Sequence, residues 1–234
     1  MSKRDDIIKI WQESFNDSRA YVSMYFDRVY RDDEAVVLTD PQGVTVSSLL
    51  LQRYGMAFQD AELPVSYIAG AATRRAQRGK GYMSQLMGMA LEASAARGDV
   101  MCALIPSRSA LYYFYRRFGF STVFFTKEQR FTALHSFPVE GDYHEMEHTA
   151  ADDVWEAFDR FQHLRECYIL HSRRDFDNIQ ADLECDNGDF VVIGADDEDR
   201  GPRIVSMAWA VKRDDLLLVT DVMGEDDDSR TAAL

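Results

Sequence analysis

Apolar residues at Ile7, Ile8, Ile10, Trp11 and Phe15 keep the three-to-four spacing of one helix face and predict a helix over 5–15. Asn16-Asp17-Ser18 interrupts that face and supplies a cap for a second helix, 19–30, which carries Tyr21, Met24, Tyr25, Phe26 and Val29. The period then changes to that of strands. Strands are expected at 34–39 and 44–58, on either side of the turn Asp40-Pro41-Gln42-Gly43, and a third at 65–73. A helix follows at 82–97 and stops at Gly98. Next comes 100–105, short and wholly apolar, as expected of a central parallel strand. A right-handed crossover would set it beside 65–73. A helix at 109–118 and a strand at 120–125 complete the first unit.

After a mixed segment, 126–148, the order of elements begins again. Helices are predicted at 150–161 and 173–183, and strands at 190–195, 203–212 and 216–222, separated by acidic turns. Two helices and three strands repeat the opening of the first half, which suggests an internal duplication of topology. The expected fold class is α/β (α+β): a mixed twisted sheet flanked by helices, followed by a second, incomplete unit of the same kind. The expected domains are 1–126, a connector at 127–149, and 150–234. The last strand would leave an unpaired edge, so a partner chain or a longer parent protein is expected.

Composition changes the picture in one respect. Residues 1–134 hold 17 Lys and Arg against 14 Asp and Glu, a net charge of +3. The remainder holds 9 against 26, or −17, which brings the total to −14. The first half can attract an anionic ligand. The second repels nucleic acid and favours cationic partners. No apolar run approaches the roughly 20 residues of a membrane span, and Met1-Ser2-Lys3-Arg4-Asp5-Asp6 lacks a signal core, so a cytoplasmic protein is expected. Cys102, Cys167 and Cys185 have no metal-like spacing, and no metal is expected.

The strand 65–73 runs into Arg74-Arg75-Ala76-Gln77-Arg78-Gly79-Lys80-Gly81, and a helix follows. No Asp or Glu occurs between Glu62 and Glu92. Strand, basic glycine loop and helix make a cradle for phosphate. The glycines let the backbone approach, and the first helical amides face the anion. The stretch Arg78-Gly79-Lys80-Gly81-Tyr82-Met83 resembles the Arg/Gln-x-x-Gly-x-Gly/Ala signature of the GCN5-related N-acetyltransferase (GNAT) superfamily, with Met83 at its sixth position. That methionine, with Tyr82 and Ser84-Gln85-Leu86-Met87, is closer to tandem-GNAT proteins typified by the enhanced-intracellular-survival (Eis) acetyltransferases. Ala71-Ala72-Thr73 resembles their strand exit. Ala110-Leu111-Tyr112-Tyr113-Phe114-Tyr115-Arg116-Arg117-Phe118-Gly119-Phe120 resembles the superfamily's second motif.

The resemblance implies acetyl-CoA as co-substrate. Its pyrophosphate would lie on the amides of Gly79, Lys80, Gly81, Tyr82, Met83 and Ser84, with Arg78 and Lys80 adding charge. Ala110 and Leu111 are counted among the cofactor residues. The pantetheine arm would pair with the open edge of 69–73, placing an acyl oxygen near the amides of Ala71, Ala72 or Thr73. The resemblance also implies Tyr115 as general acid, with Tyr112 and Tyr113 as alternates. Cys102 is expected in the core. No general base stands out, whether among His135, His144, His148, His163 and His171 or elsewhere. Eis-type proteins are implied to use a C-terminal carboxylate from a further domain for this step. The reading is a homo-oligomeric acetyl-CoA-dependent N-acetyltransferase acting on a small primary amine, with a preference for cations. The alternative is a non-catalytic acyl-CoA-binding or assembly module.

Overall fold

Ser2 caps the first helix with its hydroxyl, and Asp5 returns the bond to the Ser2 amide, so α1 (Lys3–Ser14) starts on a reciprocal capping box. Ser18 caps α2 (Arg19–Met24). The predicted second helix is not uniform. From Tyr25 to Val29 it widens into a π turn, closed by the Tyr30 amide donating to the Tyr25 carbonyl at 3.0 Å. The computed structural model describes residues 2–132, 134–197 and 201–234. They fall into two units, Met1–Met56 with Ala61–Glu128, and Ala57–Asp60 with Gln129–Leu234.

In the first unit β1 (Ala35–Thr39), β2 (Thr45–Phe58), β3 (Ala61–Thr73) and β4 (Met101–Ala103) lie side by side in that order. β1 and β2 are antiparallel, with Val37 opposite Ser48. The crossover through α3 (Tyr82–Ala96) makes β4 parallel to β3, in the register Val65–Met101, Ser66–Cys102 and Tyr67–Ala103. Arg97 pins the end of α3. Its guanidinium donates to the Leu51 carbonyl at 3.1 Å and to Ser66 Oγ at 2.6 Å, and pairs with Asp99 at 2.8 Å.

Alternation along the strands divides the core in two. Leu49, Leu51 and Ile68 meet Leu86, Met87 and Ala90 of α3 on one face, together with Tyr115 of α4 (Ser109–Arg116). Leu50 and Ala69 meet Ile7, Trp11, Tyr25 and Phe26 on the other. Two expectations need correction. The run at 100–105 is not a buried central strand: β4 has three residues, ends the strand order, and leaves Val100 and Ile105 61% and 79% exposed. The segment 120–125 is not a strand but irregular chain with an exposed Phe125. β4 is too short to offer it a ladder.

The second unit opens with β5 (Tyr143–Glu145), α5 (Ala151–Gln162), the short strand β6 (Tyr168–Leu170) and α6 (Arg173–Cys185). Then come β7 (Asp189–Asp197), β8 (Gly201–Arg213), β9 (Leu216–Gly224) and α7 (Asp227–Ala232). The sheet is ordered β5-β7-β8-β9 and is antiparallel throughout. Phe158 and Phe161 of α5 and Phe176 of α6 pack on Met207, Trp209 and Met223. Among the described residues no helix is long and apolar enough to cross a membrane.

Candidate active site

β3 bends where the site begins. Gly70 has φ +58 within the strand, a left-handed conformation that introduces a bulge-like kink. It must be glycine for a second reason: a Cβ there would enter the six-membered ring of Trp11. The ladder to β4 has its last pair at Tyr67–Ala103. Beyond it, the Arg74 amide donates to the Val46 carbonyl of β2 at 2.9 Å. Period-two alternation therefore turns the backbone groups of Ala72 toward β2 and those of Ala71 and Thr73 toward the opposite side. Ala72 and Thr73 are buried; the Thr73 hydroxyl lies 2.8 Å from Ser47 Oγ, which also donates to the Ala72 carbonyl at 3.0 Å.

The loop after β3 turns through a 3₁₀ segment, Arg75–Gln77, and then through Gly79 and Gly81, at φ +78 and +84. Nothing lies within 4 Å of where a Cβ would stand at either glycine. Gly81 is the N-cap of α3 and supplies no side-chain acceptor. The first α-helical bond joins the Gln85 amide to the Gly81 carbonyl at 3.1 Å, so the amides of Tyr82, Met83 and Ser84 have no partner within the helix. Free amides at the positive end of a fifteen-residue helix, reached through open glycines, fit a pyrophosphate.

The basic side chains of the loop divide by role. Lys80 Nζ is exposed and donates to Gln77 Oε1 at 2.6 Å. Arg78 is tied back: Nε donates to the Thr73 carbonyl and Nη2 to Ser14 Oγ, both at 3.1 Å. Arg74 donates to the Thr45 carbonyl at 2.7 Å and pairs with Glu13 at 3.1 Å and Asp6 at 3.6 Å. Glu13 also accepts from the Arg75 amide at 3.1 Å. The loop is thus braced by Asp6, Glu13 and Ser14 of α1, three residues the sequence reading did not select. Their only sequence signal is their polarity beside the apolar stripe of α1.

Tyr115 lies in the α3-side core, with the ring of Phe114 at 5.3 Å and that of Phe120 at 5.9 Å. Burial raises its phenol pKa above the ordinary value, so the hydroxyl keeps its proton. It also lines a cleft of about 770 Å³ with Cys102, Leu104, Tyr112, Phe120 and Phe124. Tyr112 and Tyr113 are more exposed. The Cys102 thiol, half-buried, is pushed up to about 11 by burial, which suits a packing residue rather than a nucleophile. Leu111 packs in the same core as Tyr115, whereas Ala110 is exposed at the start of α4.

Among its described residues the second unit has no counterpart of this loop. There β9 runs into α7, whose N-cap Asp226 accepts from the Ser229 amide at 2.8 Å. A carboxylate occupies the position that Gly81 leaves open in α3.

The family model described as an acetyltransferase (GNAT) domain matches residues 1–123. No curated protein sequence matches the chain. Among solved structures, Eis1 from Mycobacterium abscessus matches 100% of this chain and 60% of its own, at 13% identity and a TM-score of 0.73. A conserved protein from Enterococcus faecalis V583 gives 98%, 58%, 13% and 0.75 in the same terms. A GCN5-related N-acetyltransferase from Kribbella flavida gives 98%, 56%, 18% and 0.67. The chain spans a little over half the length of these proteins, and the likeness is one of fold. The braced glycine loop, the uncapped helix and the match over residues 1–123 lead to one family: the chain belongs to the GNAT acetyltransferases, and its two units together have the Eis-like, tandem-GNAT fold.

Proposed function

We propose that the first unit moves an acetyl group from acetyl-CoA to a primary amine by direct attack. The observation that carries this reading is the loop Gly79–Gly81 feeding an uncapped α3, an anion site just beyond the end of β3. The amides of Tyr82, Met83 and Ser84, with Lys80, would hold the pyrophosphate. The outward backbone of Ala71 and the amide of Thr73, whose carbonyl already accepts from Arg78, would pair with the amide-bearing arm of the co-substrate. One amide there would stabilise negative charge growing on the thioester oxygen, typically worth about 3 kcal/mol. The amine nitrogen bonds to the acyl carbon and the carbon–sulfur bond breaks, with its electron pair going to sulfur. Tyr115, held neutral by burial, would give sulfur its proton. The amine's proton leaves to water, and water returns a proton to the Tyr115 oxygen.

The acidic second half supports a cationic acceptor, since it biases the surrounding potential. Self-association is supported by Leu216, Leu217 and Leu218, all exposed on the outer strand β9.

The test is thiol release from acetyl-CoA over a panel of amines, for the wild type and Tyr115→Phe. Turnover by the wild type, reduced about a hundredfold or more by the variant, is expected. Tight CoA binding with no turnover on any amine would instead mark a non-catalytic acyl-CoA-binding module.

A further inference from the structure

The cleft beside Tyr115 is far larger than an acetyl group requires. Its volume of about 770 Å³ falls in the range of sites that enclose a whole small molecule. It exists because β4 ends the strand order, and the chain at 120–126 lines the other side without pairing to it. Cys102 and Leu104 contribute from β4 and just beyond it, and Phe120 and Phe124 from the returning chain. Tyr112 and Tyr115, three residues apart, share one face of α4 and complete the wall.

This lining suits hydrocarbon. Among the described residues no Asp or Glu lines it, and the exposed Arg116 is the one charged side chain that does. Burial keeps the Cys102 thiol and the Tyr115 phenol protonated and uncharged. Ile105, Val123 and Phe124 stay exposed along it, and large apolar side chains gathered in this way mark a ligand groove. An ammonium group would meet no carboxylate there, whereas an alkyl chain would shed water on entering. The cleft also adjoins the proposed reaction centre. Ala71 of β3, Met83 of α3 and Tyr115 pack in one apolar cluster with Leu104 and Phe120. The acyl carbon is one bond from the sulfur that Tyr115 would protonate, so a longer chain on that carbon can continue past Tyr115 into the cleft.

We propose that the cleft is an acyl-chain subsite, and that the donor is an acyl-CoA whose linear aliphatic chain is longer than acetyl. The idea rests on the acyl-transfer reading for the position of the thioester. The bonds are those of acetyl transfer: nitrogen joins the acyl carbon, the carbon–sulfur bond breaks, and sulfur takes the proton. Only the group carried on the acyl carbon differs. Its binding is measurable without turnover.

Calorimetric titrations of the full chain with acetyl-, butanoyl- and hexanoyl-CoA, in the absence of amine, provide the test. Relative to acetyl-CoA, binding is expected to tighten about tenfold at butanoyl and about a hundredfold at hexanoyl, as each methylene leaves water. Leu104→Trp fills the cleft and should bring the three donors to within about threefold of one another. Phe124→Ala, at an exposed position, removes one wall and should cut the hexanoyl advantage about tenfold, with acetyl-CoA binding unchanged. Equal binding of the three donors by the wild type overturns the proposal, and so does a full gain retained in both variants. It is overturned too if, with CoA bound, affinity follows the alkyl length of propylamine and pentylamine while the acyl series stays flat, since the cleft would then belong to the acceptor. Chain-length selectivity without thiol release to any amine would keep this subsite and sink the transfer reading. Thiol release from acetyl-CoA without chain-length selectivity would do the reverse.

Discussion

Gly70 and Trp11 explain each other: the left-handed glycine bends β3, and the indole fills the space that a side chain would need. Gly70→Ala should therefore cost about 2–4 kcal/mol, combining backbone strain with overpacking. Gly79 has a similar φ but open surroundings, so Gly79→Ala should cost only about 1–2 kcal/mol from the backbone. Urea unfolding of the two variants checks the contrast; equal losses would refute it. In the sequence both are glycines near a strand end, and their difference depends on an indole brought over from α1. The motif singles out Tyr115 in the sequence, but its burial is visible only in the structure. That burial sets a pH expectation. The phenol's pKa is raised, so the protonated acid persists past its ordinary value of about 10. The stability it lends is fully present below the unfolded pKa and is lost as pH rises through the folded one. The rate should accordingly show no fall assignable to Tyr115 below about pH 10, and a pH–rate profile that drops earlier in the wild type alone, and not in Tyr115→Phe, would contradict the assignment.

Among the elements, the contrast between α3 and α7 is the most informative. One starts at a glycine that offers no side-chain oxygen; the other starts at Asp226, which caps it with a carboxylate. The sequence already showed acids in the second position and none in the first. It did not show that acids from another helix reach the first loop from behind. Glu13 holds both the Arg74 side chain and the Arg75 amide. Glu13→Ala should thus weaken CoA binding severalfold while costing about 1 kcal/mol of stability, as read by CoA titration and urea unfolding. The helices and long strands were predictable because their apolar periods run over many residues. The runs at 100–105 and 120–125 misled because a short apolar run looks the same in a sheet centre, at an edge or in coil. Only the ladder distinguishes them, and β3 shares three residue pairs with β4.

Over the whole molecule the asymmetry of the two units predicts a single nucleotide site. One equivalent of CoA per chain is expected by calorimetry; two would show that α7 binds despite Asp226. If the −17 half draws in cationic acceptors, raising salt should weaken their binding and leave uncharged amine analogues little affected. The repeat of elements was visible in the sequence, whereas the division of the buried residues into three clusters, two in the first unit and one in the second, became visible only in space. The three tryptophans are divided in the same way. Trp155 and Trp209 sit in the core of the second unit, and Trp11 alone belongs to the first. Its indole touches the bend of β3 and donates to Asp17 at 2.6 Å. With Trp155 and Trp209 changed to phenylalanine, the chain would fluoresce from one place, the bend of β3, and its emission would report on that bend without any label.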